Sequence, residues 1–196
     1  MRYDARNAKA LEGLDPVAKA KFLELLAKLE EAGEEILIDS GYRSAEEQDA
    51  LYAKGRTKTG KIVTNARAGY SLHNFGVAID VVPAVAKTGE LLWSGKESAK
   101  RYEAIVSIAK SIGIEWGGDW KSFPDKPHLQ YTQGLTLADF RSGKTLQPET
   151  KFESPETLYA KAVNALKWVK GLRKAMIQRR IAQFGAEALR RSIIDP

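Results

Sequence analysis

Between residues 15 and 33 the apolar positions Val17, Phe22, Leu25, Leu26 and Leu29 recur at helical spacing, with Asp15 and Pro16 at the start and Gly33 at the end. That pattern predicts an amphipathic helix with its own start and stop signals. "EEILIDSGYR" follows as a strand running into a turn, and "SAEEQDALYAKG" as a short helix opened by a Ser44/Glu47 capping box and closed at Gly55. Residues 56–70 show no sustained period and predict a long loop, a kind of segment that often carries function. "GVAIDVVP" predicts a strand ended by Pro83, with "GELLW" as a partner after a turn. In "SAKRYEAIVSIAKSIG" the residues Tyr102, Ile105, Ile108, Ala109 and Ile112 share one side of a helix. "IEWGGDWKSFPDKP" predicts a short strand and an aromatic loop, and "HLQY" a last short strand. Hairpins in place of regular strand-helix-strand alternation imply an α+β fold with a mainly antiparallel sheet flanked by helices.

A change of pattern comes at "LQPETKFESPE", residues 146–156, where prolines and polar residues suggest a linker. The expected division is residues 1–146 as a catalytic domain and 147–196 as a linker with a basic helical extension. In the extension Leu158, Ala162, Leu166, Val169, Leu172 and Met176 form one helical stripe, continued by Ile177, Ile181 and Phe184. The net charge of +6 belongs wholly to this part: residues 151–196 hold ten basic and four acidic side chains, and residues 1–150 are neutral. Such a helix can pack on the catalytic domain, pair with another copy, or bind an anionic surface such as a membrane or lipopolysaccharide through residues 157–191. No specific nucleic acid is expected as a partner.

The chain has no cysteine, so a thiolate metal site, a disulfide framework and a cysteine nucleophile are excluded. The first residues lack the apolar run of a secretory signal, and no segment is long and apolar enough to span a membrane. The expectation is synthesis in the cytoplasm and, for work outside it, release by a non-standard route.

Candidate chemistry starts at Asp80, a carboxylate inside the apolar run of "GVAIDVV". Strand alternation puts Val77, Ile79 and Val81 on one face and Ala78, Asp80 and Val82 on the other. An ionised carboxylate among small apolar neighbours needs a cation or donors. The chain's two histidines, His73 and His128, flank this strand and a later turn, and Asp125 precedes His128 by three residues between Pro124 and Pro127. Two histidines and one carboxylate around a divalent zinc leave a coordination position open, which suits activation of water. Asp125 is then placed to act as general base. Asp119 in "GGDW" competes for that role, and the spacing to His128 favours Asp125.

Ser71, His73, Gly76, Ala78 and Asp80 make the pattern Ser-x-His-x-x-Gly-x-Ala-x-Asp, and Asp125 with His128 makes Asp-x-x-His. Together with "GYRS" and "EEQDALY" upstream, they resemble the zinc peptidases of the LAS or M15 group over residues 35–132. The resemblance implies the Hedgehog/D-Ala-D-Ala-peptidase fold, zinc held by His73, Asp80 and His128, and substrate or transition-state contact by Arg43. Asp-x-x-His after "WGGDW" is more similar to the phage-type L-alanyl-D-glutamate endopeptidases than to the Glu-x-x-His carboxypeptidases and dipeptidases. Trp116, Trp120 and Phe123 are candidate walls of the cleft, with Trp120 a candidate substrate contact. Ser71 and Gln48 match family blocks and are candidates for supporting or contacting substrate. The expected function is a zinc-dependent endopeptidase of the peptidoglycan stem peptide, acting as a phage or prophage lysin. The alternatives are a D-Ala-D-Ala carboxypeptidase or dipeptidase of the same fold, or a non-catalytic wall-binding module.

Overall fold

The strand that carries Asp80 lies inside a four-stranded sheet, seen in a computed structural model that describes residues 3–148. The elements run α1 (Asp4–Ala10), α2 (Pro16–Glu31), β1 (Glu35–Ser40), α3 (Ala45–Ala53), β2 (Ala78–Ala84), α4 (Lys96–Ser111), β3 (Glu115–Trp116), β4 (His128–Gln130) and α5 (Leu137–Arg141). The sheet order is β1-β2-β4-β3 and every pairing is antiparallel. The expected α+β class is thus what the chain adopts. The basic extension expected over residues 147–196 lies, beyond Pro148, outside the described residues.

Alternation along β2 and β4 divides the sheet into two working faces. Ile79, Val81 and Leu129, together with Val77 just before β2, pack with Phe22, Leu25 and Leu29 of α2 and Tyr102, Ile105 and Ala109 of α4. Phe22, Leu25, Leu29 and Ile105 are fully buried, each side chain contributing about 1.5–3 kcal/mol relative to exposure. The opposite face presents Asp80, His128 and Gln130.

Local signals account for the helix starts. The Asp15 carboxylate accepts from the backbone N–H groups of Val17 and Ala18, and Ser44 and Glu47 make both halves of a capping box on α3. The bulge between Ile38 and Ser40 interrupts the register of β1 and leaves Ser40 opposite Asp80.

Three features depart from the sequence expectations. "GELLW" makes only an isolated bridge, Ala84 to Leu91, because the chain turns away after Leu92 donates to the Pro83 carbonyl. Two short helices, α1 and α5, had no predicted counterpart. α1 is charged and has one buried residue, Asn7, whose amide donates to the Ile36 carbonyl at 3.0 Å and accepts from the Ile38 N–H at 2.8 Å. Asn7 thereby pairs groups of an edge strand that would otherwise lack partners. Among the described residues, no helix is long and apolar enough to cross a membrane.

Candidate metal centre and active site

Register brings the chemistry together. Asp80 of β2 is the direct antiparallel partner of His128 in β4. His73 arrives from a 3-10 turn, Leu72–Phe75, ended by Gly76 at φ 68°. A Cβ at Gly76 would lie 2.6 Å from the Asp15 nitrogen, so the turn seats on the start of α2 only because this residue is glycine. The Asp15 N–H also donates to the Gly76 carbonyl.

The ligand-capable atoms of His73, Asp80 and His128 all lie within 4.8 Å of one another. His73 Nε2 and His128 Nδ1 each approach Asp80 Oδ1 at 3.3 Å. The partners of the far nitrogens favour one tautomer of each ring. His73 Nδ1 lies 2.7 Å from the Gly41 carbonyl, which can only accept, so Nδ1 carries the proton. His128 Nε2 lies 3.1 Å from Gln130 Oε1, so Nε2 carries the proton there. With the far nitrogens keeping their protons, the nitrogens that face Asp80 can give up theirs to a cation, and their lone pairs then converge with a carboxylate. This donor set of two imidazoles and one carboxylate, nearly closed to solvent at both histidines, fits a small divalent cation. Burial alone would raise the Asp80 carboxyl, but in the ring forms that carry a proton toward it, hydrogen bonds from His128 and His73 outweigh burial and hold the group below the usual carboxylate range; a cation bound there takes the place of those protons.

Arg43 joins the same cluster, with Nη2 at 3.6 Å from Asp80 Oδ2. Its fork is held by two further bonds of 2.9 Å, Nη1 to Gln48 Oε1 and Nη2 to Ser40 Oγ. Gln48 has no exposed surface and donates in turn to the Ala66 carbonyl at 2.7 Å. Gln48 thus holds Arg43 and the 56–70 loop together from behind and does not line the cleft.

A cleft of about 770 Å³ opens over these groups, lined among others by Ser71, Val63, Tyr70, Trp120, Phe123 and Asp125. The long loop expected from sequence forms one rim and the aromatic loop the other. Trp120 tilts over His128 with ring centroids 4.9 Å apart. Phe123, 81% exposed, holds φ at 57°, a left-handed conformation that costs a bulky side chain energy.

Asp125 reaches the cleft because the chain folds tightly at Gly117, where a Cβ would lie 2.7 Å from the Asp125 carbonyl and 2.9 Å from the His128 Cβ. The Asp125 N–H donates to the Gly117 carbonyl, and the His128 N–H to the Asp125 carbonyl. Burial first, and then the Asp80 charge, push the Asp125 carboxyl above its ordinary value against the smaller opposing pull of His128, His73 and Arg43. Asp119 is turned elsewhere: its carboxylate bonds Lys110 of α4 at 2.6 Å and does not line the cleft. Gln130 and Glu115, which approach the centre behind His128, had no counterpart in the sequence expectations. The spacing His128-x-Gln130, two residues apart on one strand face, was the signal available.

A family model of M15 peptidases, described as D-alanyl-D-alanine carboxypeptidase, matches residues 64–131. The chain is 45% identical over 141 residues to the peptidoglycan L-alanyl-D-glutamate endopeptidase CwlK of Bacillus subtilis, covering 66% of this chain and 84% of that protein. It is 34% identical over 150 residues to the L-alanyl-D-glutamate peptidase of Listeria phage A118, covering 76% of this chain and 49% of that protein. Among solved structures, the Serratia marcescens L-Ala D-Glu endopeptidase ChiX aligns with 70% of this chain and 91% of its own at 28% identity and a TM-score of 0.47. The matched segment begins in the cleft rim and ends just past β4, so it encloses His73, Asp80, Asp125 and His128. With the relation to CwlK extending over most of that protein's length, the chain belongs to the M15 peptidase family.

Proposed function

We propose that the protein is a zinc-dependent peptidoglycan endopeptidase that hydrolyses the amide between L-Ala and D-Glu of the stem peptide. The observation that carries this reading is the convergence of His73, Asp80 and His128 in one cleft with a fourth group, Asp125, free to handle protons. The choice of bond is supported by the names of the two relatives, both L-alanyl-D-glutamate peptidases.

His73, Asp80 and His128 would hold the ion. Zinc bound there supplies Lewis acidity and a water of lowered pKa. Asp125, ionised, accepts the proton of the attacking water and delivers it to the leaving nitrogen of D-Glu. The water oxygen is added to the alanyl carbonyl carbon, the C–N bond breaks, and a carboxylate and an amine result. Arg43, preset by Gln48 and Ser40, directs N–H donors at the developing oxyanion or at a substrate carboxylate. Trp120 and the exposed ring of Phe123 offer apolar walls to the peptide.

A second reading, D-alanyl-D-alanine carboxypeptidase, is favoured by the description of the matching family model. Digestion of purified wall peptides followed by mass spectrometry separates the two. New N-terminal D-Glu is expected; free D-Ala in its place overturns the endopeptidase assignment.

The proposal extends to a lysin role, with synthesis in the cytoplasm and action on the wall after passage through a membrane lesion made by another protein. The likeness to a Listeria phage peptidase supports it. Cells expressing the chain alone should keep their turbidity and should clear when a separate membrane-lesion protein is expressed with it. Clearing by the chain alone would count against the dependence on a lesion.

A further inference from the structure

His73 and His128 are oriented by different kinds of acceptor. The one behind His73 is a main-chain carbonyl, Gly41, which cannot reverse its polarity. The one behind His128 is the side-chain amide of Gln130, which can: rotated by half a turn it would present NH2 to His128. The amide is held by Glu115. Gln130 Nε2 donates to Glu115 Oε2 at 2.8 Å, and a carboxylate accepts only, so Oε1 is forced toward His128. Glu115 is held in its turn, because the Thr132 hydroxyl donates to its Oε1.

The sheet builds this chain. Glu115 of β3 is the direct antiparallel partner of Gln130 in β4, the period of two puts His128 and Gln130 on one face, and Thr132 lies just past the end of the strand within reach of Glu115. β3 is only two residues long, and one of the two is Glu115. Gln130 and Thr132 are buried, and Glu115 closes the chain at the sheet edge, where water can meet its charge.

We propose that Glu115, Gln130 and Thr132 are positioning residues that aim an acceptor at Nε2–H of His128 and so present Nδ1 as the metal ligand. The inference rests on the reading of His73, Asp80 and His128 as a zinc site. The negative Glu115, acting through the polarised amide, also makes His128 a stronger donor toward the cation. Without Glu115 no other bond among the described residues fixes the amide, and rotamers with NH2 toward His128 favour the tautomer whose Nδ1 carries its proton toward Asp80 and cannot bind.

Two measurements on the full-length protein test the chain. One is the zinc dissociation constant by chelator competition; the other is the tautomer of His128 in the metal-free Asp80→Ala protein, where the competing acceptor at Nδ1 is gone, from long-range 1H–15N couplings at a pH where the ring is neutral. With Glu115 intact that protein should show the Nε2–H form, and the Glu115→Ala substitution is made in the same background for this readout. Glu115→Ala should mix the tautomers and weaken zinc by about 10- to 100-fold, the usual effect of losing a partner that orients a ligand. Thr132→Val should do the same more weakly. Gln130→Glu sets two carboxylates against each other and should also weaken zinc, whereas Gln130→Glu with Glu115→Gln restores one acceptor toward His128 and one donor between the partners. The double exchange should recover most of the affinity, which a merely structural role would not predict. If Glu115→Ala leaves either the tautomer or the affinity unmoved, or if the double exchange binds no better than Gln130→Glu, the proposal is overturned. A wild type that binds no zinc overturns the metal reading instead, and the tautomer measurement then decides the chain of bonds by itself.

Discussion

Ile79 and Val81 on one face of β2 are fixed by burial against α2 and α4, while Asp80 on the other faces His73, His128 and Arg43 within 3.6 Å. The apolar face draws on a non-directional force proportional to area and tolerates small shifts. The polar face depends on direction: each of its groups has a named partner, and no side-chain polar atom buried among the described residues lacks one. One strand therefore serves stability and chemistry at once, and changes on its two faces should separate in what they damage.

The largest expected effect is loss of all wall-peptide cleavage on chelation, with recovery on adding zinc, while the core face keeps the protein folded by circular dichroism. Activity that survives exhaustive chelation would break the assignment of the polar face to metal chemistry. Next, Asp125→Asn should lower kcat by about 10²- to 10⁴-fold, the usual worth of a general base, with zinc still bound by chelator competition. Full activity in that variant would move the base to another group.

On the apolar face, Ile79→Ala should cost about 2–5 kcal/mol in urea unfolding, as for other fully buried aliphatic side chains. The fraction that remains folded should keep its kcat. A fall in kcat of the folded fraction would show that the two faces are coupled. Arg43→Lys should reduce kcat/KM by roughly 10- to 100-fold, since hydrogen bonds to a charged group contribute about 1.5–3 kcal/mol and an ammonium cannot reach Gln48, Ser40 and Asp80 in one plane. The smallest effect is expected from ending the chain at Pro148. Cleavage of soluble wall peptides should not change, and if the anionic-surface role, one of the three open to residues 157–191, is the right one, binding to anionic vesicles should disappear. Equal vesicle binding by both forms would remove that proposal.

Where each element carries its own signal, sequence and structure agree: the Asp15 cap, the Ser44/Glu47 capping box and the apolar stripe of α4 are local patterns with local causes. α1 has no such pattern, because it is secured by Asn7 bonding β1 about thirty residues away. The same limit explains Gln48, whose match to a family block could not show that it lies wholly buried behind Arg43. It explains Asp119 as well, since its pairing with Lys110 depends on how α4 lies beside the aromatic loop.

The sequence by itself determined the reactive groups and their faces. With no cysteine and two histidines, it left imidazole and carboxylate as the strongest metal ligands, and the period of a strand set Asp80 apart from Ile79 and Val81. Only the tertiary structure decided which nitrogen of each histidine faces Asp80. That depends on Gly41 meeting His73 and on Glu115 standing opposite Gln130, contacts between residues far apart in the chain. Hydrogen bonds are directional and strand register is set by the whole sheet, so no local pattern in the chain could fix them.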